Sequence, residues 1–341
     1  MADRLLEESW AYLKEVRKNN GDDIMARFSG SITDVKGIKV GQAQNQVALT
    51  GVTVVRAGDE GAVLGVDVRG AAPGTRETDL ARPGNLVKRA NAVALCGGSA
   101  FGLAAADGVM RYLESINVGL DMGACHVPIV PAAVLFDLGV GDPKTWPDAK
   151  MGEEACRNAN NDVKEGRVGA GCGATIAKLV PGSTPCNGGV GTASIKLSNG
   201  VTVGAIAAVN AVGDVYHPHS SEVVACASLA DGTKVTAMDL LYGSAPTVDL
   251  PKISGIGQNT TIAVIATDAK LSKEQANRLA TVAHDGIARV IIPAHTQLDG
   301  DTIFALATGR VDNDFNFIQI CMAASEVMAR AIYNGSIAAN K

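Results

Sequence analysis

A hydroxyl residue at the first position of a buried strand, entered from a flexible loop, can do chemistry on its own backbone. The stretch Ile253-Ser254-Gly255-Ile256-Gly257-Gln258-Asn259-Thr260-Thr261, running straight into the apolar Ile262 to Ala266, has that form. Two glycines loosen the approach, and the β-branched run that follows reads as a buried strand. The Thr260 hydroxyl can attack the carbonyl of Asn259, and the resulting ester can hydrolyse. One chain would then end at Asn259 and a second begin at Thr260. The new α-amine, whose ordinary pKa is about 7.7–8.0, would lie beside its own hydroxyl as a general base. The same triplet also fits plain turn chemistry and the N-glycosylation pattern, which requires secretion.

The elements that must position this stretch belong to a chain with ample core. Over 341 residues, 47% are hydrophobic and 19% charged, which describes a well-folded globular protein. With 39 glycines and only 4% aromatic residues, tight turns and close backbone contacts are expected. The net charge of −5, without basic clusters, argues against nucleic acid as a partner. The seven cysteines are scattered, with no Cys-x-x-Cys, which suits reduced thiols in a cytoplasmic protein and not a disulfide framework or zinc site. Residues 3 to 18 read as an amphipathic helix with Leu6, Trp10 and Leu13 on one face, forming an extension over residues 1–25. It carries no signal-peptide pattern, and no run of about 18 apolar residues suggests a membrane span.

Strands are expected at Ser31 to Val40, Val52 to Arg56 and Ala62 to Val68, with a polar loop from 70 to 89. An apolar strand, Asn91 to Cys96, enters Gly97-Gly98-Ser99 and a helix from Leu103 to Glu114. That turn can cradle an anion or simply pack strand against helix. Ile129 to Leu138 reads as a strand carrying Phe136, residues 152 to 163 as a helix, and 166 to 175 as a glycine-rich loop before Lys178. Thr192 to Leu197 and Val201 to Asn210, joined at Asn199-Gly200, read as a hairpin with a two-residue turn. After the Thr260 strand come a helix capped by Ser272 and Gln275, the turn Asp299-Gly300-Asp301, a strand from Thr302 to Thr308, and a helix from Phe315 to Tyr333 ending at Gly335. His217-Pro218-His219 lacks a third metal ligand at useful spacing, and the other histidines read as structural or solvated. Strands and helices throughout give one α+β domain over residues 26–341.

Several motifs in order resemble the DmpA-type self-processing L-aminopeptidase/D-esterases, a family that includes β-peptidyl aminopeptidases and the nylon-oligomer hydrolase. They are Val68-Arg69-Gly70 with Pro73-Gly74-Thr75-Arg76-Glu77, Gly97-Gly98-Ser99-Ala100-Phe101-Gly102, Gly169-Ala170-Gly171, Val209-Asn210, Asn259-Thr260-Thr261 and Asp299-Gly300-Asp301-Thr302, spanning nearly the whole chain. The resemblance implies a four-layer αββα sandwich of the N-terminal-nucleophile type, self-cleaved into an α chain 1–259 and a β chain 260–341. It further implies Thr260 as nucleophile, Asn210 as oxyanion donor, Asp299 and Asp301 as groups that position and polarise the nucleophile, and Lys178 as a cation beside it. No cofactor or metal is implied. The partners expected are a small amide or peptide substrate and further copies of the chain, as a tetramer of αβ units.

Two positions depart from the family pattern in the pocket formed with Gly97, Gly98 and Ser99. Phe136 stands where relatives carry an oxyanion-assisting tyrosine, and Val134 where aminopeptidase members place an amine-gripping glutamate. The expected activity is therefore amide or peptide hydrolysis, including β- or ω-amino-acid oligomers. An ornithine-acetyltransferase-like acyltransferase and a non-catalytic binding protein of the same fold are the alternatives.

Overall fold

The computed structural model describes residues 26–244 and 258–341. The helix expected over 3 to 18 and most of the glycine-bearing approach to Thr260 lie outside the described residues. Two large sheets dominate, and their strands are numbered here in chain order. They are β1 (Lys39–Asn45), β2 (Thr50–Arg56), β3 (Ala62–Val68), β4 (Gly74–Arg76), β5 (Arg89–Ala90), β6 (Ala92–Cys96) and β7 (Ala132–Val134). The later strands are β8 (Gly189–Lys196), β9 (Thr202–Asn210), β10 (Thr260–Ala269) and β11 (Thr302–Val311). The four longest helices among the described residues are α1 (Ala105–Ser115), α2 (Ala149–Arg157), α3 (Lys273–Val290) and α4 (Phe317–Ala339).

The first sheet has the order β1-β2-β6-β7-β4 and the second β8-β9-β10-β11-β3-β5. Each contains one parallel pair joined through a helix: β6 with β7 through α1, and β10 with β11 through α3. Strand alternation sorts the apolar side chains into three clusters. Val52, Val54 and Cys96 face α1 and α2 with Val109 and Ala155. Leu95, Ile206, Ile262, Val264 and Phe304 fill the space between the sheets. Val203, Ile265 and Ile303 meet α3 and α4 through Leu279, Ile287 and Val327. Three apolar layers need four structural ones, so the architecture is the αββα sandwich that was expected.

Local readings differ in instructive places. Ser31 does not begin a strand. It caps a short 3-10 turn, Ile32–Asp34, accepting the Thr33 N–H while Asp34 accepts the Ser31 N–H, and pairing starts only at Lys39. The 70–89 loop contains β4 and a helical turn, Thr78–Ala81. Of Ile129 to Leu138 only Ala132–Val134 pairs as strand, and the helix expected at 152 to 163 runs instead over Ala149–Arg157 behind the Asp148 cap. The β8–β9 hairpin pairs Lys196 with Thr202, and Leu197 donates to Val201 (2.8 Å). Its loop is therefore Ser198-Asn199-Gly200, with Gly200 at φ +87°, and not a two-residue turn. Gly335 lies within α4, where a Cβ would meet the Gly191 nitrogen at 2.7 Å, so the glycine permits close helix–strand packing instead of ending the helix.

Candidate active site

Thr260 opens β10, a β-branched strand buried along its whole length between β9 (antiparallel) and β11 (parallel). Ile262 and Val264 point into the inter-sheet layer, so by alternation Thr260 does too. On β9, Ile206 and Ala208 share that layer, which places Asn210 on the same face, directly in register with Thr260.

The Thr260 hydroxyl donates to the carbonyl oxygen of Asn259, the peptide group it would attack. That oxygen also accepts the Gly300 N–H at 2.9 Å. A Cβ on residue 300 would stand 2.9 Å from Thr260 Oγ1 and 2.7 Å from the Ala72 carbonyl oxygen, so the approach needs glycine. Thr260 is only 2% exposed and Asn259 only 4%.

Asn210 has its amide orientation dictated by its neighbours. Its Oδ1 accepts from the Thr175 N–H (2.9 Å) and Lys178 Nζ (3.0 Å), which turns Nδ2 toward the carbonyls of Gln258 (3.0 Å) and Phe136 (3.1 Å). Lys178 Nζ also reaches the Asn210 carbonyl (3.0 Å) and the Gln258 carbonyl (3.3 Å). Burial pulls its ammonium down to about 7, partly opposed by the charge of Asp299. Asp299 is pushed the other way, up to about 6, by burial and then by the charge of Asp301, while hydrogen bonds from Thr296 favour the ionised form. Asp301 accepts the Thr261 N–H at 2.7 Å, which ties the carboxylate to the residue next to Thr260.

All five expected catalytic residues, Thr260, Asn210, Lys178, Asp299 and Asp301, thus converge at one end of the second sheet. The expected pocket residues do not all follow. The N–H groups of the Gly97-Gly98-Ser99 turn are taken by Gly51 (2.8 Å), Asp137 Oδ1 (2.7 Å) and Leu135 (2.9 Å), so that turn offers no free oxyanion cradle, and close packing prevails. Phe136 meets Asn210 through its main-chain carbonyl, its ring supplying no hydroxyl. Val134 faces the outer cluster with Cys96 and Ala105, not the inter-sheet layer of Thr260.

Two neighbours of the Asp299-Gly300-Asp301 turn are not singled out by the sequence. His295 is bonded through Nδ1 to Asp301 (2.7 Å), and Thr296 holds Asp299 through its N–H (2.9 Å) and hydroxyl (2.6 Å). The adjacency of His295-Thr296 to Asp299-Gly300-Asp301 was the available signal. His219 instead pairs with Glu326 (2.6 Å), far from this site in sequence, and no group of three or more metal-ligating side chains occurs among the described residues.

Residues 30–341 match the model of Peptidase family S58. The chain belongs to peptidase family S58. An uncharacterized aminopeptidase of Mycobacterium tuberculosis is 48% identical over 296 residues, covering 82% of each chain. A 6-aminohexanoate-oligomer endohydrolase of a Kocuria species is 30% identical over 296 residues, covering 85% of this chain and 79% of that one. The fold is shared with the L-aminopeptidase D-Ala-esterase/amidase of Ochrobactrum anthropi, with a TM-score of 0.67 at 21% identity over 93% of this chain and 90% of that one. It is shared too with a Burkholderia β-aminopeptidase, with a TM-score of 0.64 at 24% identity over 92% and 90%. This S58 chain is accordingly a hydrolase of peptide or amide bonds with an N-terminal-nucleophile hydrolase fold, which favours hydrolysis over the acyltransferase and binding-protein alternatives. No helix among the described residues is long and apolar enough to cross a membrane.

Proposed function

We propose that this S58 hydrolase cuts its own chain between Asn259 and Thr260 and then uses Thr260 as its nucleophile on amide substrates. One observation carries the reading: the Thr260 hydroxyl lies on the Asn259 carbonyl oxygen while the Gly300 N–H already donates to it. In the first reaction Oγ bonds to the Asn259 carbonyl carbon and the bond to the Thr260 nitrogen breaks. The hydroxyl proton passes to that nitrogen. Water then hydrolyses the ester, leaving the Asn259 carboxylate and the Thr260 α-amine. The Gly300 N–H stabilises the developing oxyanion.

Departure of the Gln258–Asn259 end uncovers the site and frees the Nδ2 donor of Asn210 that now serves the Gln258 carbonyl. In turnover, the α-amine takes the Thr260 proton as Oγ attacks the substrate carbonyl, and Asn210 Nδ2 donates to its oxygen. The α-amine returns the proton to the leaving amine, and water releases the acyl group. A charged Lys178 disfavours protonation of the nearby α-amine and so keeps it a neutral base, an effect that weakens as pH rises past the value of about 7 that burial gives the lysine, and Asp301 holds the strand start.

The substrate class is small peptides and ω- or β-amino-acid amides. The oligomer endohydrolase among the relatives supports bonds without a free α-amine beside them. Exposed Phe101, stacked on Trp146 at 4.4 Å from the same turn as Gly98, offers an apolar surface for such chains. The active form is read as a cytoplasmic homo-oligomer of αβ units, which sedimentation and fractionation would check. The deciding experiment is intact mass with amino-terminal sequencing of the smaller polypeptide. It should begin at Thr260, and an uncut chain that still hydrolyses amides would refute the proposal.

A further inference from the structure

His295 stands six residues before Asp301 and adopts a left-handed backbone, φ +55°, a region histidine enters more readily than most residues. The conformation brings two donors onto one oxygen: the His295 N–H (3.1 Å) and ring Nδ1 (2.7 Å) both reach Asp301 Oδ2. The other oxygen, Oδ1, takes the Thr261 N–H at 2.7 Å. Asp301 is therefore clamped between His295 and the main chain beside Thr260, with no rotation left that keeps all three bonds.

The ring is itself held. It meets His284 edge-to-face with centroids 4.8 Å apart, and His284 Nε2 is bonded to the Asp67 carbonyl at 3.0 Å. Burial holds His284 down to about 4, so this neighbour stays neutral near pH 7 and brings no competing cation. His295 Nε2 and His284 Nδ1 are buried without a hydrogen-bond partner, which leaves Nδ1 as the ring's polar attachment. The charged groups acting on this pair are Asp301 on the His295 loop and Asp67 on β3, held by Arg69 at 3.1 Å; Asp301 in turn faces Asp299.

We propose that His295 is a positioning residue for the hydrolase: through Asp301 it sets the depth and direction of the Thr260 end of β10, and with it the rate of both self-cleavage and acylation. The inference rests on Thr260 being the nucleophile. It assigns His295 no contact with substrate. Its effect falls on kcat, leaving KM near the wild-type value, because misplacing the nucleophile weakens the transition state more than ground-state binding.

Two variants separate positioning from packing. H295N removes the ring but keeps an amide donor and tolerates the left-handed backbone. H295F keeps a ring of similar volume without the donor. Initial rates are measured on an L-amino-acyl p-nitroanilide and on a 6-aminohexanoate oligomer, alongside precursor cleavage by intact mass, melting temperature, and T260A as reference. The expected result is that H295F loses about 10- to 100-fold in kcat with little change in KM. H295N recovers most of that rate. H295F matching wild type in kcat overturns the proposal. So does H295N being the slower variant at equal melting temperature, which would make the ring a packing element. An active T260A would instead defeat the underlying assignment of the nucleophile, whatever the His295 variants do.

Discussion

Two glycine turns close the ends of the two parallel crossovers, and they use their backbone differently. Gly97-Gly98-Ser99, after β6, spends every amide on its own surroundings, with the buried Asp137 carboxylate accepting the Gly98 N–H at 2.7 Å. Asp299-Gly300-Asp301, before β11, secures its carboxylates on Thr296, His295 and Thr261, and turns the Gly300 N–H outward to the Asn259 carbonyl. Both turns need glycine for close approach: a Cβ at Gly97 would sit 2.0 Å from Asp137 Oδ2, and one at Gly300 2.9 Å from Thr260 Oγ1. A glycine turn becomes reactive only when its donors are left facing a carbonyl that can change charge. In the first turn the nearby aspartate absorbs the donor. In the second the aspartates are occupied elsewhere.

Breaking the second turn's side of this contrast should cost most. T260A should remain one full-length chain and lose at least about 10⁴-fold in amide hydrolysis, read from gels and initial rates. N210A, tested on enzyme that has been cut, should lose about 10²- to 10³-fold in kcat, the effect of one oxyanion donor. G300A should slow precursor cleavage by about 10-fold or more, because its methyl group presses on the nucleophile and displaces a donor; a time course of fragment appearance would show it. The pH profile sharpens the contrast. Asp299, raised to about 6 by burial and Asp301, should give kcat an acid limb near that pH, with activity falling as pH drops and the carboxylate takes up its proton. D299N should remove that limb.

The first turn should respond least. Burial raises Asp137 above the usual carboxylate range, so its ionised form is disfavoured in the fold and its contribution worsens as pH rises through the ordinary carboxylate pKa. D137N keeps an acceptor for Gly98 without the charge. It should shift the melting temperature by no more than about 4 °C and kcat by less than about threefold. A hundredfold loss in that variant would mean that the two turns share the chemistry.

Much of this was legible before the fold was known, for identifiable reasons. Thr260, Asn210 and the two aspartates sit in short motifs whose order along the chain carries the resemblance, and β10 announces itself by ten buried residues, mostly β-branched or small. The capping box at Ser272 and Gln275 is local, so it was readable. What escaped depends on contacts distant in sequence or on backbone hand. His295 matters only because its left-handed φ folds the ring back onto Asp301. Gly335 looks like a helix end until Gly191 is placed beneath it. Val134 reads as a pocket residue from its place in the chain, whereas the pleat decides which layer its side chain enters. Ser31 reads as the start of a strand, although its hydroxyl stabilises a turn there.

The register of β10 has a consequence for the two polypeptides that self-cleavage would make. From Thr260 onward the strand is laced to β9 on one edge and to β11 on the other, and β11 in turn pairs with β3. The break would fall at the rim of the second sheet, ahead of its ladder. Residues before and after residue 259 would go on sharing that sheet and its apolar layers. The fragments should therefore melt together in one transition and separate only in denaturant. Neither should be recoverable as a folded species when produced without the other.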